Sequence, residues 1–200
     1  MRQAAKAEAK GKTKKLENLQ PMILAAQEYL VPRNRRDLAQ RARDRALALA
    51  SHDDETPEHI ADAAALGISV TEFPTTLAAA RAARDKSMKI VMGAPNLMRG
   101  GSHSGNVSAA ELAAEGLLDN LASDYVPASL LQAAFRLTEE EHGLSLPQAV
   151  ATVSASPAMT AGLSDRGRIA AGLKADLLRV AVVEGQPFLK TVWRDAERVM

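Results

Sequence analysis

Residues 46–73 read ALALASHDDETPEHIADAAALGISVTEF, and the order of their parts decides the fold. A short apolar run, 46–51, breaks at His52-Asp53-Asp54. Thr56-Pro57-Glu58 then supplies an N-cap residue, a proline at the first helical position and an acidic first turn. This predicts a helix to about Leu66, closed by Gly67. A second β-rich run, 68–73, follows. The pattern then repeats. Thr76 opens an alanine-rich helix to about Lys86, and 89–93 (KIVMG) is a third apolar run. Ser108 and Glu111 form a capping box for a helix over 109–115. A fourth run, 117–123, ends at Asp124, and a helix over about 128–138 succeeds it.

Four strand–loop–helix units in succession, with strands apolar on both faces, predict an α/β fold with a parallel sheet covered by helices. His52, Glu72, the Asn96–Asn106 loop and Asp124 all fall at the carboxyl ends of the predicted strands. Both a (β/α)8 barrel and a doubly wound sheet gather their chemistry at that end. Four units are half the number a barrel needs. Beyond them the character changes. Residues 146–154 and 157–162 read as short helices. Glycines 167, 172 and 185 then punctuate β-rich runs near 177–183 and 188–194. The expected division is a basic helical segment over 1–45, a β/α body over 46–163 and a small β appendage over 164–200. Residues 6–15, rich in lysine, read as frayed.

Composition sets the limits. Of 200 residues 46% are apolar and 24% charged, as in ordinary globular proteins. Six aromatics leave alanine, leucine and valine to fill the core. The absence of cysteine excludes disulfides, thiolate metal sites and thiol nucleophiles. No run reaches the ~20 apolar residues of a membrane span, and the first residues lack a signal-peptide core. The expected location is the cytoplasm. The net charge of +1 is unevenly placed: residues 1–45 hold a surplus of positive charge and the remainder a surplus of negative charge. A basic segment can bind nucleic acid, but no aromatic interleaving or nucleic-acid module accompanies it, so it reads as a solvated helix. Neither a nucleic acid nor a membrane is an expected partner.

Residues 94–106, APNLMRGGSHSGN, pose the main chemical question. A glycine-rich stretch between a strand and a capped helix can be a slack linker or an anion-binding loop. Backbone N–H groups and a helix N-terminus can face an anion. Gly100, Gly101 and Gly105 permit close backbone approach. Arg99 can bind phosphate bidentately, and Ser102, His103, Ser104 and Asn106 add donors. The balance favours anion binding. The Walker ending G-K-[ST] is missing. His52 and Asp124 suit zinc or manganese, although two residues do not complete a site and His52 alone can equally be structural. Glu72 fits a third ligand, a general base or a strand-end ion-pair partner. His59 and His142 read as surface residues.

LASHDDETPEHI (49–60), the stretch from TEFPTT (71–76) to RGGSHSGN (99–106), and LASDYVPASLLQAAF (121–135) resemble the C-terminal half of the alpha-D-ribose 1-methylphosphonate 5-triphosphate diphosphatases. These belong to the carbon–phosphorus lyase pathway and to the amidohydrolase superfamily of metal-dependent barrels. The resemblance runs from about Pro32 to the end of the chain. It implies that the four strands are strands five to eight of a (β/α)8 barrel, and that the tail joins a β-sandwich. It further implies a divalent metal, zinc or manganese, with His52 and Asp124 as ligands. Asp124 would also take the proton from an attacking water. Arg99, Gly100, Gly101, Ser102, His103, Ser104 and Asn106 would meet the phosphates of a phosphorylated sugar. Where many superfamily members have a second histidine, this chain has Glu72. The superfamily's H-x-H pair and strand-four ligand have no counterpart in these 200 residues. The expectation is therefore a truncated, inactive chain, unless a second copy or a missing N-terminal half completes it. The other readings are a cyclic amidase or deaminase, which the arginine-bearing loop disfavours, and a phosphate-binding remnant without catalysis.

Overall fold

A computed structural model describes residues 2–101, 105–139 and 142–200. The chain divides into two compact units, Met1–Leu47 and Ala48–Met200. The first is built on one helix, α1 (Arg2–Arg43). Pro21 and Pro32 lie inside it, and each removes a backbone donor from the helical ladder.

The second unit opens with four short strands: β1 (Ala50–His52), β2 (Val70–Glu72), β3 (Lys89–Gly93) and β4 (Asn120–Ala122). They pair in sequence order, and every pair is parallel. Between and after them come α2 (Pro57–Ala65), α3 (Leu77–Asp85), α4 (Ala94–Arg99), α5 (Ala109–Ala114), α6 (Ser129–Arg136), α7 (Leu146–Ala151) and α8 (Ala155–Thr160). The β-rich tail forms a separate antiparallel sheet of β5 (Leu177–Val183), β6 (Gln186–Arg194) and β7 (Glu197–Arg198).

The helix starts follow the caps read from sequence. Thr56 Oγ1 accepts from His59 N, Thr76 Oγ1 accepts from Ala79 N, and Ser108 with Glu111 closes a full capping box. The strands are shorter than the apolar runs that announce them. Ala46 is left-handed (φ 52°), in the turn after α1, so β1 begins only at Ala50. Leu117 N and Leu118 N both donate to Leu112 O, which holds those leucines in the turn closing α5 and delays β4 to Asn120.

One sheet face carries the core. Ile90 and Met92 of β3 and Leu121 of β4 are buried against Ile60, Ala63, Ala79, Ala80, Ala83, Leu112, Ala133 and Leu137. Val91 and Ala122 alternate to the opposite face and are only half-buried. There, a groove of about 290 Å³ runs between Ala50, Val70, Val91, Ala122, the α8 residues Pro157 and Thr160, and Ala161 just after them.

At the amino ends of the strands, Asp119 organises the sheet. Its carboxylate accepts from Arg84 Nη2 (3.0 Å), Lys89 Nζ (2.9 Å) and Ile90 N (3.0 Å). This end of a β/α sheet serves stability rather than chemistry. Asp119→Ala is expected to cost about 2 kcal/mol, read as a lower urea midpoint with an unchanged slope.

His142 departs from its expected surface position. The turn after α6, in which His142 N donates to Glu139 O and Gly143 is left-handed, brings the imidazole into the interior at 7% exposure.

Candidate active site

The parallel register places His52 directly opposite Glu72. Their side chains meet, with His52 Nδ1 3.0 Å from Glu72 Oε2. A carboxylate can only accept, so in this bond Nδ1 carries the proton and Nε2 presents a lone pair unless the ring is charged. Nε2 lies 3.6 Å from Asp53 Oδ2. The Phe73 ring packs against the imidazole in an edge-type arrangement, centroids 5.3 Å apart and planes inclined by 63°.

Three strand ends share an unusual backbone. Asp53, Phe73 and Asp124 are all left-handed, with φ of 56°, 56° and 49°. Aspartate tolerates this region; phenylalanine does so at a cost of about 1–2 kcal/mol. All three line one cleft of about 260 Å³, together with Pro74, Met92, Gly93, Asn96, Arg99, Asn106 and Val107. Phe73 and Asp124 are close to one another there: a methyl group on Gly93 would lie 3.7 Å from Phe73 Cε1 and 3.8 Å from Asp124 Oδ2.

The glycine-rich stretch is half helix. Residues 94–99 form α4, with Pro95 in its first turn and Gly93 before it. Gly100, left-handed at φ 78°, ends it, and the N–H groups of Gly100 and Gly101 satisfy Leu97 O and Asn96 O. A Cβ on Gly100, Gly101 or Gly105 would meet nothing within 4 Å. Gly100 therefore serves the turn rather than close packing. Ser102, His103 and Ser104 lie outside the described residues.

Three of the backbone donors at the start of the next helix already have partners. Glu111 Oε2 accepts from Ser108 N at 2.7 Å, Ser108 Oγ accepts from Glu111 N at 3.1 Å, and Asn96 Oδ1 accepts from Ala109 N at 2.9 Å. The bonds from the Ser108 backbone, and then from its hydroxyl, hold the Glu111 carboxyl below its ordinary pKa. The anion at this helix start is the chain's own. Among the described groups of the cleft, Arg99 and Asn106 offer side-chain donors.

The HDD run divides by function. Asp53 faces the cleft, whereas Asp54 is buried at 6% exposure. The Asp54 carboxylate accepts from Thr71 Oγ1 at 2.6 Å and from Ser51 Oγ, and its carbonyl accepts from Thr75 N. Sequence reasoning did not separate these two aspartates. Nor did it single out Tyr125, whose hydroxyl accepts from Arg99 Nη1.

His52 and Asp124 do not meet. They come from the two edge strands of the four-stranded sheet, and of the two only Asp124 lines the cleft. Among the described residues no three His, Asp or Glu side chains gather around a point where a metal could sit. No described helix is long and apolar enough to cross a membrane.

A parallel β/α sheet with ionisable side chains, an arginine and a cleft at its carboxyl ends has the architecture of an α/β enzyme. The sequence profile of the amidohydrolase family matches residues 16–191, and the chain belongs to that family. It is 50% identical over 167 residues to the alpha-D-ribose 1-methylphosphonate 5-triphosphate diphosphatase of Escherichia coli (strain K12), covering 83% of this chain and 44% of that protein. Among solved structures it is similar to a prolidase complexed with N-methylphosphonate-L-proline (TM-score 0.61, 19% identity, 82% of this chain and 48% of that one). It is also similar to the N-acetylglucosamine-6-phosphate deacetylase of Pasteurella multocida (TM-score 0.56, 12% identity, 76% and 50%). At those identities the likeness is one of fold. The chain spans about half the length of each of these relatives or less.

Proposed function

We propose that these residues form strands five to eight of a (β/α)8 hydrolase that releases diphosphate from alpha-D-ribose 1-methylphosphonate 5-triphosphate. The observation that carries this reading is the cleft at the carboxyl ends of the strands, holding Arg99, Asn106 and Asp124 in a chain half identical to a diphosphatase of that name. The half-open sheet face fits strands whose inner side belongs to a larger barrel. A cyclic amidase or deaminase has less need of an unneutralised arginine.

In this reading Arg99 and Asn106 hold the phosphate chain, because phosphoryl transfer depends on positioning and charge stabilisation. Asp124, in the same cleft, accepts the proton of the attacking water. Water oxygen bonds to the phosphorus that stays on the sugar, and diphosphate departs with the bridging oxygen. Glu72 orients His52 through Nδ1, leaving Nε2 facing outward. The cleft falls just below the ~300–1,000 Å³ usual for small-molecule sites, so it takes the phosphate end of such a substrate.

A divalent metal, zinc or manganese, is the cofactor that kinship with metal-dependent amidohydrolases suggests. The described residues do not fit a whole shell for it, since His52 and Asp124 stand apart. That separation favours a second reading for this chain on its own: a phosphate-holding half without turnover.

Isothermal titration calorimetry with the sugar triphosphate and with the corresponding 5-monophosphate separates these ideas from a linker. The triphosphate is expected to bind more tightly, and Arg99→Ala to weaken it about tenfold or more. Equal affinity of wild type and Arg99→Ala would remove the cleft's assigned role.

A further inference from the structure

We infer that Tyr125 is a positioning residue for phosphate recognition: it holds the Arg99 guanidinium at the cleft without spending its charge. The inference rests on the reading of the cleft given above. Arg99 closes α4, and its Nη1 donates to the Tyr125 hydroxyl, with the guanidinium carbon 5.8 Å from the ring centroid. At that distance the hydroxyl bond is the principal contact and stacking is secondary.

The neighbouring arginines show why the partner matters. Arg81 is bound by Glu115 at 2.9 Å and Arg84 by Asp119 at 3.0 Å. Each has its charge cancelled where it is held. A side chain with many rotamers must be fixed before it can bind an anion well, and a carboxylate would fix it at the cost of competing with that anion. A phenol accepts one N–H, is neutral at pH 7 and leaves the positive charge whole.

Position in the chain couples this device to the chemistry. Tyr125 directly follows Asp124, which is left-handed at the end of β4 and lines the cleft with Arg99. One short turn therefore sets both the carboxylate and the arginine's anchor. Tyr125 is exposed, so its replacement does not open the core.

The test uses inorganic triphosphate as the probe and the 200-residue chain as protein, titrated by calorimetry at low salt. Far-UV circular dichroism confirms folding. Tyr125→Phe, which keeps the ring and loses the hydroxyl, is expected to weaken binding about three- to tenfold. The steepness of the salt dependence, which counts charges, is expected to stay as in wild type for Tyr125→Phe and to fall for Arg99→Ala. The double variant should bind no more weakly than Arg99→Ala alone, because the hydroxyl acts through the arginine. Wild-type affinity in Tyr125→Phe, or losses that multiply in the double variant, would overturn the positioning role. If wild type itself fails to bind triphosphate, the cleft reading falls and this inference falls with it.

Discussion

Asp54→Ala is expected to destabilise the second unit by about 3 kcal/mol, and Asp53→Ala by only about 1 kcal/mol, the cost of alanine in the left-handed region. The two residues are adjacent and chemically identical, and the difference comes from which side of the backbone each occupies. Asp54 is buried and accepts hydrogen bonds from hydroxyls on two strands, Ser51 of β1 and Thr71 of β2. Its backbone carbonyl also receives Thr75 N and so ties down the turn that leads into α3. Removing the carboxylate strands the Thr71 hydroxyl, which is fully buried, without its acceptor. An unsatisfied buried donor costs its whole desolvation. Asp54→Asn keeps an acceptor oxygen, so its loss should be about half as large. Asp53 is exposed, and its replacement loses only the 3.6 Å approach to His52 and aspartate's tolerance of φ 56°. Urea unfolding of the three variants decides the matter. Equal midpoints for Asp54→Ala and Asp53→Ala would mean that the hydroxyl cluster contributes little to the sheet.

That contrast marks the limit of what the sequence makes legible. The β/α alternation could be read because each helix start carries its own chemistry: Thr56 before Pro57, Thr76, and Ser108 three residues ahead of Glu111. Those side chains cap their helices as the pattern requires. Helix α4 was also signalled, by Pro95 in the first turn and Gly100 just past Arg99, but the surrounding glycines and serines mask it as loop. The pairing of His52 with Glu72 depends on β1 and β2 being neighbours in parallel register, which spacing alone does not state. The backbone at the start of α5 shows two roles in competition: the capping box takes Ser108 N and Glu111 N and the Asn96 amide takes Ala109 N, three groups that an anion would otherwise use. Asp53 and Asp54 differ only in three dimensions, and no pattern in HDD distinguishes them.

The other large effect expected is on metal and turnover. The purified 200-residue chain, dialysed and analysed by plasma mass spectrometry, should retain well under one zinc or manganese per chain. Its release of diphosphate from the sugar triphosphate should stay at background with either metal added. The reason is geometric. His52 ends β1 and Asp124 follows β4, at opposite edges of the sheet, and among the described residues no three ligand side chains gather around one point. Catalytic zinc commonly needs three protein ligands around one point, and affinity falls steeply when one or two donors act alone. His52→Ala should therefore leave the retained metal unchanged. In Glu72→Gln the imidazole loses its charged partner at Nδ1, and that too should leave the retained metal unchanged. Triphosphate binding through Arg99 requires no such closure and should survive in both variants, which separates holding the substrate from cleaving it. The opposite result, stoichiometric metal lost in His52→Ala together with metal-dependent diphosphate release, would require ligands from residues 102–104 or from a second polypeptide. Repeating the metal analysis across a hundredfold range of protein concentration would then tell those two sources apart, since only association between chains depends on it.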